Sequence, residues 1–349
     1  MNLISIVELL NPLAAAGVNI GLTGQPGVGK TEVIKQWVST LKASDIRPDL
    51  AEDGDDEKPV RFIPIATTTK ESVDVSGLMA IENGVTRWSP PAWVPTGNEA
   101  CVVFLDEFPQ AELPTQLAFQ KLIDRDLDGA EVSPRALFVV AGNRPEDNSG
   151  ANDIPLHIRN RFAWFEVEAD VASWRAWAEQ NGVQQVVIDF IAYRPEMLNR
   201  FDAKTKSNAY ATPRSVTRLS SVLKHANPSQ WFFLAASICG TQWAGEFEQF
   251  RKLYDTIPSV DEVLANASTF KLPTEFGILN ALTSAVIRAA RADKTKSAAV
   301  VTLVGRIYDN GNGELAAKML RDISAICPEI FATAETAKLF AKMQPLMSA

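Results

Sequence analysis

At 349 residues the chain exceeds the usual single domain, so two domains, or one large domain with an appendage, are expected. Its 46% hydrophobic and 22% charged residues are ordinary values for a globular protein with a core. A net charge of −8 argues against non-specific binding to nucleic acid or acidic membranes, which need basic surface, while leaving room for a local basic channel in an oligomer.

The N-terminal stretch, residues 1–17, lacks the basic start and long apolar core of a signal peptide. Its Leu3, Ile6, Val7, Leu10 and Leu13 fit one face of a short helix instead. No segment approaches the roughly 20 apolar residues that span a bilayer, so a soluble cytoplasmic protein is expected. Cys101, Cys239 and Cys327 form no CxxC pair, as in a reducing compartment without a disulfide frame or thiolate zinc site. His157 and His225 stand too far apart to suggest a histidine metal site.

Val18 to Leu22 reads as a buried strand running into a glycine-rich turn, and Lys30 to about Leu41 as a helix with Val33, Ile34, Trp37, Val38 and Leu41 on one face. The acidic Asp49 to Pro59 reads as a solvated loop. Val60 to Ala66, Cys101 to Glu107, Arg135 to Asn143 and Phe162 to Glu168 are short apolar runs with β-branched residues, suited to a parallel sheet covered on both faces. Strand and helix in alternation predict a doubly wound α/β architecture. After about Asp170 the period becomes helical, with a second helical block from about Pro258 to the C-terminus. Trp174 and Trp177, on one helix, read as packing.

The most specific signal is G-x-x-x-x-G-K-T, formed by Gly24, Gln25, Pro26, Gly27, Val28, Gly29, Lys30 and Thr31. Gly24, Gly27 and Gly29 let the backbone curl around phosphates at a helix N-terminus. Lys30 supplies a charge for the β- and γ-phosphates, and Thr31 a hydroxyl for Mg²⁺. Asp106 and Glu107 end a later apolar strand: Asp106 would hold Mg²⁺ through its waters, and Glu107 can accept a proton from attacking water. No guanine-reading NKxD-type motif occurs, which favours ATP. Asn143 ends a further strand, either as a turn former or as a ligand for the γ-phosphate or the attacking water. Arg159 and Arg161 precede the last strand, where an arginine could reach a neighbouring subunit's ATP or form a surface salt bridge. Arg214 opens a helix whose first position is Pro213.

In this order the motifs resemble those of an AAA+ ATPase: GQPGVGKT as Walker A, VVFLDE as Walker B, AGN as sensor 1, NRF as the arginine-finger box and ATPRS as sensor 2. Lys70 to Leu78, the LDEFPQAELPTQLAFQKLIDR segment and ATPRS resemble the MoxR-like branch. The resemblance spans roughly residues 1–255, and more loosely the C-terminal helices. It implies an αβα core over 1–170 with an insert at about 72–97, an all-α lid over 171–257 and a C-terminal helical extension over 258–349. It assigns Asn143 to sensor 1, Arg161 to the finger, with Arg159 as its rival, and Arg214 to sensor 2, in cis or in trans. It implies a ring, commonly a hexamer, in a bacterial cell or encoded by a phage. Its ATP hydrolysis would remodel a protein client or adaptor, in that family often one with a von Willebrand factor A domain. A nucleic-acid-stimulated ring motor and a nucleotide-gated scaffold are the alternatives; the acidic charge opposes the first and the Asp106–Glu107 pair the second. Trp88 and Trp93, in the Trp- and Pro-rich insert, either contact a substrate chain or pin the insert to its own core.

Overall fold

The computed structural model describes residues 3–147, 150–204, 207–254, 259–332 and 334–347. The expected boundary at 257/258 lies outside them. The chain forms two compact units, one of residues 1–177 and 198–218 and the other of 178–197 and 219–349.

In the first unit, α1 (Leu3–Ala16) leads into β1 (Asn19–Gly24) and α2 (Lys30–Thr40), followed by β2 (Arg61–Ala66) and the short α3 (Ser72–Ser76). A hairpin of β3 (Leu78–Glu82) and β4 (Val85–Ser89) intervenes before β5 (Cys101–Asp106), α4 (Leu113–Ile123), β6 (Ala136–Gly142), α5 (Leu156–Arg159) and β7 (Phe162–Val167). Five strands make one parallel sheet in the order β2-β5-β6-β1-β7. Its apolar runs are continuous because alternate residues serve opposite faces. Val102, Phe104, Leu137 and Val139 join Ile20 and Leu22 against Ile6 and Leu10 of α1 and Ile34, Trp37 and Val38 of α2. Val103, Leu105, Phe138 and Val140 pack on the other side against Phe119 and Leu122 of α4. This is the αβα P-loop architecture that the motif order implied, and it brings the C-terminal ends of β1, β5 and β6 to one edge.

The acidic loop departs from its expected solvation at one residue. Asp55 is only 4% exposed and meets the guanidinium of Arg135, itself 2% exposed, at 2.5 Å. Arg135 also donates to the carbonyls of Ile46 and Ala43. The loop is thus pinned by an ion pair whose cation is almost wholly buried.

The insert contains a two-residue turn, Asn83-Gly84, with both residues at positive φ, as a tight hairpin requires. Pairing of Met79 with Trp88 and of Ile81 with Thr86 gives one hairpin face three large exposed apolar side chains: Met79 (66%), Ile81 (79%) and Trp88 (39%). Trp93 behaves differently, packing partly buried against Phe119 at 6.4 Å between ring centroids. The two insert tryptophans therefore divide, one outward and one onto the core.

α6 (Val171–Gln180), which carries the buried, packing Trp174, leads to α7 (Gln185–Tyr193) and α8 (Pro213–Leu223). In the second unit Phe190 of α7 packs with Trp243, Phe247 and Phe250 of α10 (Thr241–Tyr254), which follows α9 (Trp231–Cys239). Asp189, buried, accepts from Gln185 and Tyr254 and faces Arg288 of α12 (Phe276–Ala292) at 3.5 Å, and burial pushes its carboxyl up. α11 (Val260–Ala265), α12, α13 (Ser297–Asp309), α14 (Gly313–Ile326) and α15 (Ala334–Met347) share an apolar core that includes Leu282, Val286, Val304 and Leu320. Among the described residues no helix is long and apolar enough to cross a membrane.

Removing the countercharge from the loop anchor strands a buried guanidinium. Asp55→Asn is expected to lower the thermal unfolding midpoint by several degrees, whereas Asp53→Asn, at an exposed position of the same loop, leaves it unchanged; a calorimetric comparison of the two checks this.

Candidate functional site

The turn between β1 and α2 is built to receive an anion. Gly29 caps α2 in the left-handed conformation (φ 105°) and supplies no side-chain acceptor, so the first amides of the helix are left for a ligand. Gly27 is also left-handed, and a Cβ there would stand 2.7 Å from the hydroxyl of Thr212. Only glycine permits this close approach of loop and neighbouring segment.

Lys30 is 8% exposed, yet among the described residues its ammonium meets no carboxylate at hydrogen-bond distance. It donates to the carbonyls of Gly24 (2.7 Å) and Gln25 (3.0 Å) and to Oδ1 of Asn143 (3.1 Å). Burial brings its pKa down to about 8; the charges of Asp106 and Asp147 oppose this, and those of Arg214 and Arg144 reinforce it. A buried cation on neutral acceptors, beside uncapped amides, fits a phosphate group well.

On the next strand but one, Asp106 Oδ2 accepts from the hydroxyl of Thr31 at 2.9 Å. One carboxylate and one hydroxyl are hard oxygen donors suited to Mg²⁺, which keeps several waters and leans on substrate phosphates rather than a protein cage. The described residues hold no cluster of three or more acidic, histidine or cysteine ligands. Glu107 follows in the left-handed conformation (φ 56°), a strained position for a side-chain-bearing residue. Its Oε2 accepts from the hydroxyl of Thr68 at 3.0 Å, and Thr67 donates to the Asp106 carbonyl at 2.9 Å.

Asn143 leaves β6 between β1 and β5, which explains its reach to Lys30. The turn after it is held by Arg144, which binds Asp147 through two nitrogens and Glu166 of β7 at 2.7 Å. A cleft of 410 Å³ lies beside Thr23, Asn143, Trp164 and Arg159. Arg161 is not in that lining: its Nε and Nη2 grip both oxygens of Asp124, beyond α4, at 2.6 and 2.7 Å, and its third nitrogen donates to the His157 carbonyl. Arg214 lies in the first turn of α8; its side chain is exposed and its main-chain amide donates to the Gly27 carbonyl at 3.1 Å.

Gly24 through Thr31, Asp106, Glu107, Asn143 and Arg214 therefore gather around one loop, whereas Arg161 is tied elsewhere on the surface. Sequence reasoning missed Thr67 and Thr68, the Arg144–Asp147 clamp and Asn199, whose amide reaches Gln25. The TTT run after β2 was a usable signal, since hydroxyls at the end of a parallel strand stand at the site edge.

The fold and this loop define a P-loop NTPase of the AAA+ fold. Residues 19–162 match the model of the AAA domain, dynein-related subfamily. No curated protein matches the sequence. Among solved structures the chain is similar to a mutant of Thermotoga maritima RuvB, with 14% identity over 75% of this chain and 81% of that one and a TM-score of 0.41. It is also similar to NtrX from Brucella abortus in complex with ADP, with 12% identity over 99% of this chain and 68% of that one and a TM-score of 0.39.

The lowered pKa of Lys30 sets a pH dependence. Phosphate favours the charged ammonium, so above pH 8 binding must first protonate Lys30, whereas below pH 8 the free protein already carries that charge. ADP affinity is therefore expected to be flat from pH 7 to 8 and then to fall, by at most about tenfold per pH unit, in a calorimetric titration series.

Proposed function

We propose that this chain hydrolyses ATP with Mg²⁺ in a ring of identical subunits, on the plan of MoxR-like AAA+ ATPases, and uses the cycle to remodel or activate a protein partner. The observation that carries the reading is the convergence of Lys30, Thr31, Asp106, Glu107 and Asn143 at the C-terminal edge of the sheet. In it, residues 1–170 are the catalytic core, 171–257 a helical lid and 258–349 an extension, in a cytoplasmic protein.

Lys30 exchanges its two carbonyl acceptors for phosphate oxygens, and the amides at the start of α2 close around them. Mg²⁺, held by Thr31 and Asp106, would neutralise charge on the phosphates. Asn143 keeps its amide beside the same phosphates, oriented by the Arg144 clamp. Glu107 accepts the proton of the attacking water, which requires it to leave the hydroxyl of Thr68. Of the two candidate fingers, Arg159 lines the cleft beside its own Asn143, which suits a role in cis. Arg161, directed to Asp124 and away from that cleft, suits a neighbour's phosphates. Arg214 stands close enough to Lys30 to bear on its charge, which supports a place beside the nucleotide of its own chain. The outward Met79, Ile81 and Trp88 of the hairpin offer an apolar contact for a protein client, for which a von Willebrand factor A domain protein is the first choice to test.

Glu107→Gln should bind ATP within about twofold of wild type while hydrolysis falls by a factor on the order of 10² or more. Arg161→Ala should likewise bind but turn over at a rate lower by a factor on the order of 10³. Mixing the two inactive proteins decides the placement of the finger. Glu107→Gln chains still offer Arg161 to intact sites on Arg161→Ala neighbours, so phosphate release should recover in the mixture; a mixture as inactive as its parts would place Arg161 in cis. DNA or RNA that stimulates hydrolysis strongly would favour the nucleic-acid motor.

A further inference from the structure

The segment 198–218 belongs to the same compact unit as the P-loop, and its described residues touch the loop at Gly27 and Gln25. Arg214 donates its main-chain amide to the Gly27 carbonyl, and Thr212 lies so close to Gly27 that a Cβ there would be 2.7 Å from its hydroxyl. A further contact joins two side chains: Asn199 Nδ2 donates to Gln25 Oε1 at 2.6 Å, across 174 positions of sequence. The segment is closed on itself by the Arg200 amide donating to the Ala211 carbonyl at 2.8 Å, so both of its ends meet the loop together.

Gln25 is engaged twice. Its side chain receives Asn199, and its main-chain carbonyl receives Lys30 at 3.0 Å. Holding the side chain restricts rotation of the peptide planes on either side of Gln25, which are those that must be set before phosphates enter. Asn199 also makes a purely local bond, its Oδ1 accepting from the Phe201 amide at 3.4 Å. That bond uses the other atom of the amide, so the two roles can be separated by substitution.

We propose that Asn199 is a positioning residue for nucleotide binding: through Gln25 it fixes the first half of the P-loop in its binding conformation and couples it to the segment that bears Arg214. This rests on the reading of the loop as a nucleotide site. Because the bond lies in the loop and away from Glu107, its loss acts on affinity for ATP and ADP alike and not on the hydrolytic step.

The test uses the full chain, with ADP titrated by calorimetry and hydrolysis followed by phosphate release. Asn199→Ser keeps an oxygen able to accept from the Phe201 amide but cannot span to Gln25. It should weaken ADP binding about fivefold, the size of one hydrogen bond, raise KM for ATP in parallel and leave kcat within about twofold. Gln25→Ala should do the same, and the double variant should be no weaker than either single one, since both remove one interaction. The exchanged pair Gln25→Asn with Asn199→Gln should recover most of the affinity. Wild-type affinity in Asn199→Ser, additive losses in the double variant, or a fall in kcat at unchanged KM would overturn the proposal while wild type still binds ADP. A wild type that binds no nucleotide, equal in this to Lys30→Ala, would instead remove the nucleotide reading on which the proposal stands.

Discussion

The first unit is organised around a buried ammonium whose hydrogen bonds go to neutral acceptors. Lys30 donates to two loop carbonyls and one amide oxygen, all neutral, and burial lowers its pKa to about 8. A cation in that state is costly to bury and gains strongly from an anion, so the surroundings can be understood as the means of keeping it there. α2 begins at Lys30, which puts the ammonium at the positive end of the helix. β6, inserted between β1 and β5, delivers Asn143 to it and holds Asp106 one strand away, near enough to bond Thr31.

Much of the remaining structure maintains this arrangement. Apolar packing on both sheet faces fixes the relative register of β1, β5 and β6, and so the spacing between Lys30, Asp106 and Asn143. The Arg144 guanidinium ties the turn after Asn143 to β7, limiting where the amide can go. Glu107 is held by a strained backbone and by the Thr68 hydroxyl, which together fix where its carboxylate rests. Segment 198–218 supports the loop from another side, through Gly27 and Gln25.

Away from the loop, local pattern and tertiary outcome part company in instructive ways. The acidic run from Asp49 to Pro59 has the composition of a solvated loop, and most of it is exposed, but Asp55 is drawn inside because Arg135 waits there. Charge density along a sequence cannot reveal such a partner, 80 positions away. The hairpin, by contrast, is legible in the sequence: Ile81-Glu82-Asn83-Gly84-Val85-Thr86 has the turn chemistry and flanking apolar residues of one. Whether Trp88 or Trp93 faced outward depended on what lay beneath each, and Phe119 lies beneath Trp93.

The sequence by itself determined the nucleotide loop, the strand runs and their two-faced burial, because these are local: glycine spacing, the Lys-Thr pair and apolar periodicity act over a few residues. It also sufficed to nominate Asp106, Glu107, Asn143 and Arg214, since each sits at the end of a recognisable strand or the start of a recognisable helix. Only the tertiary structure decided that Arg161 pairs with Asp124 while Arg159 lines the cleft by Asn143, that Thr68 holds Glu107, and that Asn199 reaches Gln25. Those contacts join residues far apart in the chain, and their partners are chosen by strand order and packing, which no short stretch of sequence encodes.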